Sequence, residues 1–137
     1  MLTSKDIMIG DYVIVKRKNV DEARQVDVNL IKDLTMQEYG FVRKDQHEFI
    51  TVDSIPLSGH TLINSGFKED PLRGEATYTY SSDYYDIEIK EISDGVWKLI
   101  VDHTEIGSGT DTCVVCSVDQ LQKALRVFSI TTLKITL

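Results

Sequence analysis

The sequence predicts an α+β fold dominated by antiparallel strands: an N-terminal SH3-like small barrel, then a second antiparallel sheet packed with a C-terminal helix. Three observations predict it. Short β-branched and aromatic runs recur through residues 1–57 with polar turns between them. The period-2 runs "YYDIEIKEI" and "VWKLIV" flank the turn "SDG", as in a β-hairpin. A capped amphipathic pattern, "SVDQLQKALRVF", stands near the end. Residues 1–57 read as the barrel subdomain and 58–137 as a short helix, a sheet and the C-terminal helix, with one continuous domain as the alternative.

The first strand is expected over residues 7–16, "IMIGDYVIVK", with Gly10-Asp11 as a turn or bulge. "KRKNVDEAR" reads as a polar connection. "QVDVNLI" alternates Val26, Val28 and Leu30 against Asp27 and Asn29, which predicts a second strand. "TMQEYGF" is a turn or part of an extra strand. "HEFITVDSI" is rich in β-branched and aromatic residues and predicts a third.

Pro56 disfavours helix at Ile55. Ser58 is a good N-cap, Leu62 and Ile63 give a small apolar face, and Gly66 suits the left-handed residue after a helix, with Phe67 packing back. A helix over about 58–65 follows. Residues 68–82 read as a loop around a weak strand at "ATYTY". In the hairpin, Tyr85, Ile87 and Ile89 share one face, and Trp97, Leu99 and Val101 are expected to be buried.

The stretch "CVVC" poses the main chemical question. Paired thiols are useful when they meet at a tight turn or helix start, where the helix dipole also lowers a thiol pKa. Val114 and Val115 favour strand instead, so Cys113 and Cys116 are expected to diverge on opposite faces of a buried strand. For zinc, two thiols are half of a closed site, and His47, His60 and His103 are not at ligand spacing. Neither a metal nor another cofactor is expected.

After the cysteines, Ser117 and Gln120 fit a capping box. Val118, Leu121, Leu125 and Phe128 form one apolar stripe, and Asp119 and Arg126 match the helix dipole. The helix is expected over 118–128. "ITTLKITL" reads as a closing strand, with Leu133, Ile135 and Leu137 on one face.

Three blocks also resemble a family of small uncharacterised proteins of gut bacteria, many associated with prophages or mobile elements. "SVDQLQKALRVFSI" is similar to the family's V-H-Q-L-Q-N-x-x-x-A-L helix. "IMIGDYV" matches its I-G-x-x-V strand, and "SIPLSGHTLINSGF" its I-P-L-[ST]-x-x-x-L-x-x-x-G-F block. The blocks occur in the family's order and span most of the chain. The sequence departs at Asp119, where the family often has His, and lacks the usual glycine-containing turn after Lys16. The resemblance implies a shape and a genomic setting, and it transfers no catalytic residue.

The chain has 137 residues, enough for one ordinary domain with its own core. Hydrophobic residues at 42% and charged residues at 27% mark a globular protein, so global disorder is not expected. A net charge of −7 favours solubility and opposes nonspecific binding to phosphate backbones, leaving a protein partner or small ligand open. No stretch suits a signal peptide or membrane span, so a cytoplasmic protein with reduced cysteines is expected.

Other motifs carry weaker signals. "EIGSGTD" lacks the rest of a dinucleotide or phosphate-loop motif and reads as a turn. Asp102, His103 and Ser108 lack a nucleophile turn, so no catalytic residue is assigned. Tyr78, Tyr80, Tyr84 and Tyr85 lie within eight residues; they read as a recognition surface or as plain cover for a half-exposed sheet. Lys16, Arg17, Lys18, Arg43 and Lys44 form a basic patch if their two stretches are neighbours, and otherwise are solvated turns. The leading expectation is a non-enzymatic protein-interaction or accessory module, with a mobile element as its setting. Its alternatives are nucleic-acid binding through the barrel and an enzyme with a scattered site near His60 or His103.

Overall fold

The computed structural model describes residues 1–103 and 109–137, so the turn expected at "EIGSGTD" falls mainly outside the described residues. Two compact units divide the chain, Met1–Ile55 and Pro56–Leu137. Antiparallel sheets of three and five strands, with helices, give the α+β class.

In the first unit, β1 (Tyr12–Arg17) and β2 (Val20–Gln25) form a hairpin. Asn19 sits in its two-residue turn at φ 68°, a left-handed conformation that asparagine tolerates better than most residues. α1 (Val28–Glu38) follows, then β3 (Thr51–Ser54), which pairs with the other edge of β1. The sheet order is β2-β1-β3, and no barrel closes.

The barrel expectation fails at "QVDVNLI", which is not a strand. Asp27 is the N-cap of α1, its carboxylate accepting from the Leu30 backbone N–H at 2.8 Å and from Arg24 at 2.9 Å. The Leu30 N–H first, and then the Arg24 guanidinium, hold this carboxyl below its usual range, against some desolvation. Val26, Leu30 and Leu34 are buried, while Val28 is 65% exposed. Spacings of two and of four coincide over so short a run, and helix won. The supposed polar connection is β2, a charged strand without alternation and with no buried side chain.

α1 shares one core with the sheet, joining Leu30 and Leu34 to Val13, Val15, Val26, Ile50 and Val52. The Gln37 amide reaches the backbone of Ile50, accepting from its N–H at 2.8 Å and donating to its carbonyl at 2.6 Å. One side chain thus stands in for a neighbouring strand, as the long connection enters β3.

In the second unit, α2 (Gly59–Asn64) forms as expected, with Ser58 accepting from the Thr61 N–H. Gly66 takes φ 99°, and Phe67, buried, donates its N–H to the Leu62 carbonyl at 3.0 Å. β4 (Lys68–Glu69), β5 (Thr77–Ser81), β6 (Tyr85–Ser93), β7 (Val96–His103) and β8 (Thr110–Val115) make one antiparallel sheet in sequence order. Tyr85, Ile87, Ile89, Trp97, Leu99 and Val101 are all buried, as the hairpin alternation requires.

α3 (Val118–Val127) starts at the Ser117 cap, and Val118, Leu121 and Leu125 bury its stripe, with Phe128 half-buried. Gln120 accepts from the Cys116 N–H at 2.8 Å, one residue before the partner a standard capping box would use. "ITTLKITL" does not form the expected strand. Leu133 and Ile135 are buried, but the Thr136 N–H donates to the Ser65 hydroxyl at 2.8 Å and not to a strand neighbour. Alternation marked Leu133 and Ile135 as inward-facing, while Leu137, expected on the same face, is exposed.

Candidate functional site

Two features stand out, one in each unit. The first is a groove of about 410 Å³ in the N-terminal unit. Lys16, Arg17, Lys18 and Lys44 line it with Asp45, Gln46, Phe49 and Thr51. Lys16 and Thr51 are cross-strand partners at the ends of β1 and β3, so the groove lies where the sheet meets the connection after α1. That connection is held by tight turns: the Gln46 side chain accepts from the Arg43 N–H at 2.7 Å, and the Phe49 N–H donates to the Gln46 carbonyl at 3.1 Å.

Four of the five predicted basic residues therefore meet. Arg43 is not among the lining residues and its Nε lies 3.8 Å from the Asp45 carboxylate. Lys16 is tied to Asp53 at 3.1 Å, and the hydrogen bond and charge of that carboxylate raise the Lys16 pKa above the usual lysine value. Asp53 moves the other way, held below its usual range by Lys16 and then by the chain's amino group. Sequence reading missed Gln46, Phe49 and Thr51, because only the folded connection brings them to the cations.

The second feature is β8, at the end of the five-stranded sheet. Among the described residues its pairing is with β7 alone. Just past it the backbone is already engaged: Pro56 bridges Ser117 antiparallel, and the Leu57 N–H donates to the Cys116 carbonyl at 3.3 Å. Thr110, Thr112 and Val114 point outward, and Val114 is 57% exposed. β8 carries no Lys, Arg, Pro or bulge, the usual devices that discourage an edge from adding another strand. Of the other edges, β2 holds Asp21, Glu22 and Arg24, β4 has only two residues, and β3 has four with Asp53 among them.

The tyrosines do not form one exposed surface. Tyr85 is buried, and Tyr78 and Tyr80 are half-buried on β5. Tyr80 packs on Phe67 with centroids 5.6 Å apart and stacks on Tyr85 at 6.3 Å, while Tyr78 meets Trp97 at 6.0 Å. Burial, then nearby Glu69 and Glu91, pushes the Tyr78 phenol up. Only Tyr84 of the four stands out, 62% exposed.

The cysteines are free, and neither is buried as expected. Cys113 is half-buried on β8 and Cys116 is exposed beyond the strand's end; an edge strand has no neighbour to cover it. Burial pushes the Cys113 thiol up. Since the thiolate is the nucleophile, limiting iodoacetamide at neutral pH is expected to label Cys116 before Cys113. Peptide mapping by mass spectrometry that found Cys113 labelled first would contradict this placement.

A smaller cavity of about 280 Å³ is lined by Tyr84, Tyr85, His103 and Thr132 among others. His103 Nε2 lies 2.9 Å from the Asp111 carboxylate, and the hydroxyls of Tyr85 and Thr132 bond each other. Ser108, the third member of the imagined hydrolytic set, lies outside the described residues. His60 bonds its neighbour Asn64 one helical turn away. Among the described residues no three His, Cys, Asp or Glu side chains cluster as a metal site requires, and no helix is long and apolar enough to cross a membrane. Comparisons with protein-family models, curated proteins and solved structures find no match to this chain.

Proposed function

We propose that this chain is a non-enzymatic binding module that takes an extended segment of a partner protein onto the free edge of β8. The observation that supports the reading is that edge: six residues rich in β-favouring Thr and Val, with Asp111 as their one charge and no Lys, Pro or bulge, where β2 is heavily charged and β4 is short. Strand addition draws affinity from main-chain hydrogen bonds and specificity from alternate side chains, here Thr112 and Val114 on the outer face. The likeness of the three sequence blocks to small gut-bacterial proteins, many of them associated with prophages or mobile elements, adds the setting: a cytoplasmic accessory protein of a mobile element.

The test compares the wild-type chain with Thr112→Pro, which removes an edge N–H, and Val114→Lys, which places a charge there. A partner recovered in stoichiometric amount by the wild type is expected to be lost by both variants at unchanged melting temperature. It should also slow amide exchange over residues 110–115. Recovery that both variants leave intact would remove the reading.

A further inference from the structure

The groove of the N-terminal unit is independent of the β8 edge and has its own chemistry. Four cationic side chains line it against one carboxylate, Asp45, although residues 1–55 hold 8 basic and 10 acidic residues, a net of −2. Asp53 occupies Lys16, which leaves Arg17, Lys18 and Lys44 as the exposed cations. Such a concentration of one sign inside a concavity focuses the field on an incoming anion. An arginine fork and two ammonium groups suit phosphate oxygens.

The remaining lining is not cationic. Phe49, half-buried, gives an aromatic wall, and Gln46 and Thr51 add an amide and a hydroxyl. An aromatic face stacks any nucleobase, and amide and hydroxyl groups bond to base edges or sugar. A volume of about 410 Å³ is that of a small-ligand site and too small for a folded partner.

We propose that this groove binds a nucleotide, its phosphate on Arg17, Lys18 and Lys44 and its base on Phe49. Free nucleotides and the nucleotides of a single strand share this chemistry. The binding is noncovalent and the groove carries out no reaction.

The test titrates the full chain with three probes at about 20 mM salt: ATP, a thymidine oligonucleotide of about twelve residues, and inorganic pyrophosphate. ATP binding as tightly as the oligonucleotide points to a free nucleotide; an oligonucleotide at least about ten-fold tighter points to a strand. Three phosphate contacts imply that oligonucleotide affinity falls roughly twenty-fold between about 50 and 200 mM salt. The double variant Arg17→Glu, Lys18→Glu lies at the exposed hairpin tip and should keep the fold by circular dichroism while losing at least about ten-fold in affinity for every probe. Phe49→Leu should weaken both nucleotide probes several-fold and leave pyrophosphate unchanged. No binding by any probe, or binding indifferent to the charge reversal, overturns the proposal. Pyrophosphate bound as tightly as ATP, with no effect of Phe49→Leu, overturns the assignment of a nucleotide.

Discussion

Replacing Leu99 by Ala is expected to lower the stability of the C-terminal unit by about 3 kcal/mol, within the range for burying a cavity in a core. Leu99 is fully buried on β7, with Ile89 directly across on β6 and Cys113 across on β8. Both neighbouring strands are fixed by their ladders, so the backbone has little freedom to close over the lost methyl groups. Against a typical domain stability of about 5–15 kcal/mol, that loss is a large share. Leu99→Val removes less volume and should cost about 1 kcal/mol. Urea unfolding followed by fluorescence reads this unit cleanly, because Trp97, the single tryptophan, lies in the same strand. A midpoint unmoved by Leu99→Ala would mean that β7 is not the centre of this core.

The second large effect reverses a familiar sign. Gly59 is the first residue of α2, where Ala would ordinarily favour helix by about 1 kcal/mol. A Cβ there would meet the Tyr78 hydroxyl and stand 2.8 Å from Tyr78 Cζ. Trp97, its ring centroid 6.0 Å from that of Tyr78, limits the room into which the ring can move. Gly59→Ala is therefore expected to destabilise by about 1–3 kcal/mol, the usual cost of overpacking. Tyr78→Phe removes the offending oxygen, so the double variant should recover part of the loss, with a coupling above about 0.5 kcal/mol. If Gly59→Ala matched or exceeded the wild type in thermal melts of both backgrounds, the contact between α2 and β5 would be wrong.

The half of the fold best read from sequence is the one in which local signals agreed. Ser58, Gly66 and Phe67 mark both ends of α2, and the alternation from Tyr85 to Val101 gives the central hairpin and its inward face. The N-terminal unit misled for a definable reason. Val26 and Leu30 fit a strand and a helix equally over five residues, and what separates the two is Asp27, which reads as a strand's polar face until it is recognised as a cap. β2 offered no pattern at all, since its conformation comes from pairing with β1 and not from burial. The basic residues of the groove were legible as two stretches, but their meeting depends on how residues 39–50 fold back, which no local spacing encodes. Residue periodicity likewise marks a strand without saying whether it is central or at an edge, so the open side of β8 and the exposure of Cys116 were out of reach.

The hairpin's outer strand has a practical corollary. Val20–Gln25 keeps its place through main-chain pairing and buries no side chain; Arg24, bonded to Asp27, and Gln25, whose amide donates to the Gly10 carbonyl, are the two that reach beyond the strand. The stretch Val20–Ala23 can be rewritten, provided the new residues accept an extended backbone and keep charge on the edge. It is the natural port for grafting a short epitope or an affinity tag inside this protein while the rest of the molecule stays as it is.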